Sequence, residues 1–177
     1  MTTVVKEEKK LEKYFDTKKM AQYRSDLLSP LKSRIGMFFM LPMGALAGLK
    51  VTELNEETCK VSNPHKFLNK NPFNTTYWAV LGMNAEMAGG AILLMYTKNS
   101  KVSVANFVVG CESKFVNRAL GTTTFVTNDG ALIRDKVIEA VETGEPVVFK
   151  TTSIGYSDDN KVVAEFIFTW SVKARKK

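Results

Sequence analysis

Hydrophobic and polar positions alternate most regularly at the end of the chain. From Lys161 to Lys173, the side chains of Val162, Ala164, Phe166, Phe168, Trp170 and Val172 fall on one face, which predicts a half-buried strand. Val147–Tyr156 predicts its partner, with Ser157-Asp158-Asp159-Asn160 as the hairpin turn. Lys50–Asn55 and Thr58–Asn63 predict a second hairpin around Glu56-Glu57. A long strand runs from Val102 to near Phe115, and Gly121–Thr127 is expected as its antiparallel neighbour. Ile133, Val137, Ile138 and Val141 recur at helical spacing, so a helix is expected over Ala131–Thr143, between the Asn128-Asp129-Gly130 turn and Gly144.

Two apolar segments break this pattern. Tyr77–Tyr96 (YWAVLGMNAEMAGGAILLMY) contains a single group charged at neutral pH, Glu86. Its length admits a membrane span, but a carboxylate at the centre costs about 2.5–3.5 kcal/mol on insertion. Asn84 and three glycines add no lipophilicity, so a helix buried on nearly all sides by protein is expected, with Gly82, Gly89 and Gly90 permitting close backbone approach. The second segment, Ile35–Leu49, is too short to span a bilayer and is interrupted by Pro42 and Gly44. It is expected to lie against the core or a partner; its methionines also suit the wall of an acyl tunnel. Ahead of it, Glu7 to about Leu28 reads as a peripheral helical arm with Leu11, Tyr14, Phe15, Met20 and Leu27 facing inward. The expected organisation is an N-terminal helical extension over residues 1–47, packed on an α+β domain over residues 48–177.

Composition narrows the class. With 177 residues, 45% of them hydrophobic, the chain has enough apolar material for one self-sufficient core. Cys59 and Cys111 are far apart and lack nearby cysteine or histidine, which argues against a disulfide framework and a metal site. No apolar leader with a small-residue cleavage site opens the chain, so a reduced, cytosolic protein is expected. The formal net charge of +7 is concentrated in Lys6–Arg24 and Lys173–Lys177. Without interleaved aromatics or a recognisable binding motif, these patches do not indicate nucleic acid.

Three segments carry a resemblance: Asn71-Pro72-Phe73-Asn74, the helix Tyr77–Gly90 with its lone Glu86, and Phe115-Val116-Asn117-Arg118-Ala119-Leu120-Gly121. In type and order they resemble the hotdog fold, a curved antiparallel sheet wrapped around one long hydrophobic helix, and its thioesterase-like members of the phenylacetate-pathway type. The resemblance covers roughly residues 48–173. It implies hydrolysis of an acyl-CoA thioester, with coenzyme A present only as part of the substrate. Glu86 takes the place of the catalytic carboxylate, nucleophile or general base, and Asn71 that of the asparagine holding the lytic water or the carboxylate. Trp78 and Ala79 would supply backbone N–H donors to the oxyanion, although Tyr77-Trp78-Ala79 stand where those enzymes usually have His-Gly-Gly. Tyr77, Asn74 and Gly90 are expected at the substrate, and Lys114, Arg118 and, less directly, Lys101 at the phosphates of coenzyme A. A homodimer or dimer of dimers is implied.

Structural readings of the same residues stand beside these. A buried Glu86 can serve as acceptor for a hydroxyl or backbone amide, and Asn71 before Pro72 suits a turn. His65, the only histidine, lies too far ahead of Glu86 for dehydratase chemistry and reads as a loop residue. Besides the hydrolase, two other functions fit: a non-catalytic binder of acyl or CoA-like ligands, and a membrane-peripheral protein using Ile35–Leu49 with the basic termini.

Overall fold

The computed structural model describes residues 11–175. The alternation in the last third of the chain produces the expected hairpin. β5 (Val147–Ser157) and β6 (Val162–Ala174) pair antiparallel from Val147 opposite Val172 to Tyr156 opposite Val162. Phe166, Phe168, Trp170 and Val172 are buried on one face of β6. The first hairpin also forms, as β1 (Lys50–Leu54) and β2 (Cys59–Pro64). With β3 (Val104–Phe115) and β4 (Thr122–Thr127) they complete one six-stranded antiparallel sheet in the order β1-β2-β4-β5-β6-β3.

That order corrects one expectation, because β3 and β4 are not neighbours. β3 pairs with β6 at the sheet edge, whereas β4 lies between β2 and β5. The cause is in the connection. After Phe115 the chain crosses the end of the β5–β6 hairpin: the Val116 and Asn117 amides donate to the Val163 carbonyl, and Asn117 Nδ2 donates to the Val162 carbonyl at 2.7 Å. The Thr122 amide then donates to Asp158 Oδ2 at 2.8 Å, after a left-handed Gly121 (φ 71°). The loop thus delivers β4 to the far side of β5.

One face of the sheet holds the long helix, Trp78–Lys98, preceded in chain order by three shorter ones: α1 (Thr17–Leu28), α2 (Pro30–Met40) and α3 (Pro42–Ala47). The long helix is α4, and α5 (Gly130–Thr143) packs beside it. Ala85, Ala88, Gly89, Ala91 and Ile92 of α4 are fully buried. Small side chains let the helix approach the sheet closely: a Cβ on Gly89 would stand 3.2 Å from Thr151 Oγ1 and 3.6 Å from the Trp170 ring. Polar contacts fix the same interface, with Ser153 Oγ donating to the Ala85 carbonyl (2.8 Å) and Asn84 Nδ2 donating to Asn63 Oδ1 and the Thr123 carbonyl. α4 is long and apolar enough to cross a membrane, but here it is the core helix, as its central carboxylate requires.

The N-terminal arm is not one helix. Its described part breaks at Phe15, which forms a bridge with Ser100, and at Asp16, whose Oδ1 accepts from the Lys19 amide and caps α1. Residues 7–10 lie outside the described residues. Leu11, Tyr14, Phe15 and Met20 face inward as expected; the Phe15 ring meets Tyr96 of α4 at 5.1 Å, and Leu27 packs at the margin. Ile35–Leu49 lies against the core along one side only. Met37, Gly44, Ala47 and Leu49 are buried, but Ile35, Phe38, Phe39, Met43 and Leu46 face solvent. A helix that is apolar all round has two faces to cover, and α4 covers only one of them.

Gly155 on β5 lies opposite Phe125 on β4, and an added Cβ would stand 2.5 Å from the ring. Because Phe125 is fully buried between neighbours, Gly155→Ala is expected to cost about 1–3 kcal/mol in urea unfolding. Unchanged stability would show that the ring is free to move aside.

Candidate active site

Glu86 sits midway along α4, on the flank turned away from the sheet. Met87, Gly90, Leu94 and Lys98 share that flank. α1 and α2 roof it with Tyr23, Leu27, Gly36, Met37, Met40 and Leu41, leaving a largely apolar cavity of about 420 Å³ onto which Glu86 opens. Lys98 and the Asp26–Lys32 ion pair (2.7 Å) stand at its rim. Gly90 lies directly under the carboxylate. A Cβ there would lie 3.2 Å from Glu86 Oε1 and 3.5 Å from the Trp170 ring.

Among the described residues, Glu86 accepts no hydrogen bond and forms no ion pair. Burial alone pushes its carboxyl above the usual Glu range. The result is a carboxylate with raised proton affinity, unpaired and facing apolar space. Such a group can take a proton from water or attack a carbonyl carbon directly.

A second group of expected residues gathers at the start of α4. Asn71 organises the preceding turn: its Oδ1 accepts from the Phe73 and Thr75 amides, and its Nδ2 donates to Thr75 Oγ1 at 2.9 Å. Asn74 takes a left-handed conformation (φ 55°), and Arg118 Nη2 donates to the Phe73 carbonyl at 3.0 Å. Tyr77 is the N-cap residue, its own amide donating to the Asn69 carbonyl at 2.7 Å. The Trp78 and Ala79 amides find no acceptor among the described residues, as expected for the first turn of a helix. They are free donors at the positive end of a 21-residue helix. The Trp78 side chain beside them is 56% exposed.

The two groups are not brought together within one chain. Trp78 and Glu86 are more than two turns apart on α4, about 12 Å along the axis, and Asn71, Tyr77, Trp78 and Ala79 do not line the Glu86 cavity. Of the other expected residues, Gly90 lines the cavity, Lys114 is exposed on β3, and Lys101 donates to the Glu12 carbonyl. His65 is a half-buried loop residue whose Nδ1 is 3.3 Å from Thr76 Oγ1. No group of three or more potential metal ligands occurs among the described residues.

Sequence reasoning missed the lid residues Tyr23 and Lys32. It also missed a fully buried polar cluster of Asn63, Asn84 and Thr123, in which Asn63 Nδ2, Asn84 Oδ1 and Thr123 Oγ1 have no partner among the described residues. An asparagine inside an otherwise apolar helix is the signal that pointed to it.

The sequence matches no family model and no curated protein. Solved structures do match. A Pseudomonas aeruginosa protein of unknown function, described as a probable thioesterase, aligns with TM-score 0.68 at 20% identity, over 83% of this chain and 97% of that one. A thioesterase from Haemophilus influenzae aligns with TM-score 0.59 at 13% identity, over 79% and 88%. A mutant thioesterase from Pseudomonas aeruginosa gives 0.62 at 14%, over 83% and 96%. The chain has the hotdog fold. In this hotdog frame α4 is the enclosed helix, and Glu86 is its lone acidic residue.

The raised Glu86 pKa has a consequence for stability. The folded hotdog domain keeps this proton over a range in which the unfolded chain has released it, so ionisation opposes folding. The penalty is absent below the ordinary Glu range, about 4.3, and grows as pH rises from there to the folded pKa. Glu86→Gln is therefore expected to be more stable than the parent at about pH 8, with the gap closing near pH 4 in urea unfolding. A gap independent of pH would mean that the carboxylate is solvated in the folded state.

Proposed function

We propose that this protein hydrolyses an acyl-CoA thioester, with Glu86 as the catalytic carboxylate. The unpartnered Glu86 opening on an apolar cavity carries this reading. In the general-base form, Glu86 takes a proton from water as the oxygen bonds to the thioester carbon. The tetrahedral oxyanion then collapses, the C–S bond breaks, and the thiolate takes up a proton to leave as coenzyme A. A cavity of about 420 Å³ with this lining suits an alkyl chain, favouring medium or longer acyl groups.

The oxyanion donors in this proposal are the Trp78 and Ala79 amides of a second subunit, because those of the same chain are too distant from Glu86. The exposed edge strand β3 supports a homodimer. Its 12 residues pair only on the β6 side and leave Phe107, Val109 and Phe115 largely in solvent. Asn71, Asn74, Tyr77, Lys114 and Arg118 would then lie on the coenzyme A side of the thioester.

Thiol release from acyl-CoA substrates of graded chain length tests the proposal. Glu86→Gln should lower kcat/KM by about 10²-fold or more while melting normally. Absence of turnover at every chain length, or turnover indifferent to Glu86, would refute it. The bulky Trp78 beside the free amides favours a second reading, a binder of acyl ligands without turnover. That protein would melt at higher temperature with an acyl-CoA present and release no thiol. For assembly, sedimentation should give twice the 19.8 kDa chain mass, and Phe107→Lys with Val109→Lys should yield monomer. A parent chain that sediments as a monomer would sink the dimeric site.

A further inference from the structure

The outer face of α2 and α3 is an apolar surface that neither the core nor the candidate active site uses. Leu31, Ile35, Phe38 and Phe39 follow one another at i, i+4, i+7 and i+8, and Met43 and Leu46 continue the stripe. Phe38 is 64% exposed and Phe39 78%. The face opposite this stripe already has a task, since Gly36, Met37 and Met40 roof the Glu86 cavity.

Charge identifies what the stripe meets. Residues 27–52 and 58–85 contain no Asp or Glu. The two segments adjoin in space: Asn69 Nδ2 donates to the Ala47 carbonyl at the end of α3, and the Lys66 ammonium lies against Gly48. Arg34 stands on α2 itself, Lys50 and Lys66 near the end of α3 and Lys70 beside Phe67, and none of the four makes an ion pair among the described residues. Exposed Phe67 and Leu68 add to the apolar surface, with the Lys70 ammonium 4.8 Å from the Phe67 ring centre. A second copy docked by the same face would set these cations against one another, which disfavours self-association here. An apolar stripe with unpaired cations beside it, whose nearest acid in sequence, Asp26, is already held by Lys32 (2.7 Å), matches an interface of acyl chains beneath anionic headgroups.

We infer that α2 and α3 dock this protein on an anionic phospholipid membrane surface, with Phe38 and Phe39 entering the headgroup boundary. The protein stays peripheral, because Pro42 divides the stripe and neither helix is long enough to span. Docking would hold α2, the roof of the cavity, at the lipid interface.

Co-sedimentation with phosphatidylcholine vesicles containing about 30% phosphatidylserine tests this. The full chain should bind these vesicles at least about tenfold more tightly than pure phosphatidylcholine and dissociate when salt rises from about 0.1 M to about 1 M. Phe38→Ser with Phe39→Ser, both in solvent, should lower binding by about tenfold or more without altering the melting temperature or the sedimentation coefficient. No binding of the parent chain to anionic vesicles would overturn the inference, as would equal binding by the double variant. Loss of an oligomer in that variant would also overturn it and assign the face to contact between copies. Thiol release from soluble substrates does not enter this readout, so failure here is separable from failure of the hydrolase.

Discussion

A 21-residue helix with almost no polar flank has to be covered on every side, and the rest of the molecule follows from that requirement. The sheet covers one flank of α4, where alanine and glycine permit close approach, and α5 lies alongside. These elements leave the Glu86 flank open. The segment from Phe15 to Ala47 closes it, anchored by the Phe15–Tyr96 ring contact and the Arg24–Glu56 ion pair (3.0 Å). The closure is incomplete because α1 and α2 bridge over Gly90 without filling the space beneath. The cavity is thus the gap left where two helices roof a third.

Polar groups on α4 separate by role. Asn84, facing the sheet, donates to Asn63 and to the Thr123 carbonyl, tying the helix to β2 and β4 at one register. That pairing uses one end of each amide, since Asn84 Oδ1 and Asn63 Nδ2 have no partner among the described residues. Glu86, two residues on and facing the lid, has no partner among them at either oxygen. An acceptor role would require a donor, and neither a hydroxyl nor an amide of the described residues reaches it. Burying an ionisable carboxylate without one is a standing cost, which a purely structural site would shed by substitution to glutamine.

Much of this was readable in the chain. The two hairpins and α5 follow from periodicity, because a period of two or 3.6 records which side chains share a face, and α4 follows from an apolar run with one carboxylate. Periodicity does not record which element covers that face. For this reason β3 was assigned to β4, its neighbour in sequence, when the Asn117 and Thr122 contacts carry the chain past two strands. For the same reason the sequence of Ile35–Leu49 points to the core or a partner without saying which side meets which. Its composition shows that it is apolar but not that α4 meets only one side. At the site, Glu86 stands out as the lone carboxylate of an apolar helix and Gly90 is implied by the family resemblance, whereas Tyr23 and Lys32 become visible only once α1 and α2 are folded over α4.

β3 makes the same point at the level of assembly. Natural sheet edges are blunted by proline, charge, a bulge or shortness. β3 is long, has no proline, and carries a register shift between Val108 and Gly110, with its charged residues Glu112 and Lys114 beyond that shift. Val109 sits at the shift itself, and Phe107 and Val108 ahead of it leave an apolar, uncharged stretch of edge. An edge of this kind, on a chain whose carboxylate and free helix-end amides stand about 12 Å apart, is the observation behind the dimer proposed above. In that proposal the second copy supplies the helix-end donors that one copy, with its amides about 12 Å from its own carboxylate, does not bring to Glu86.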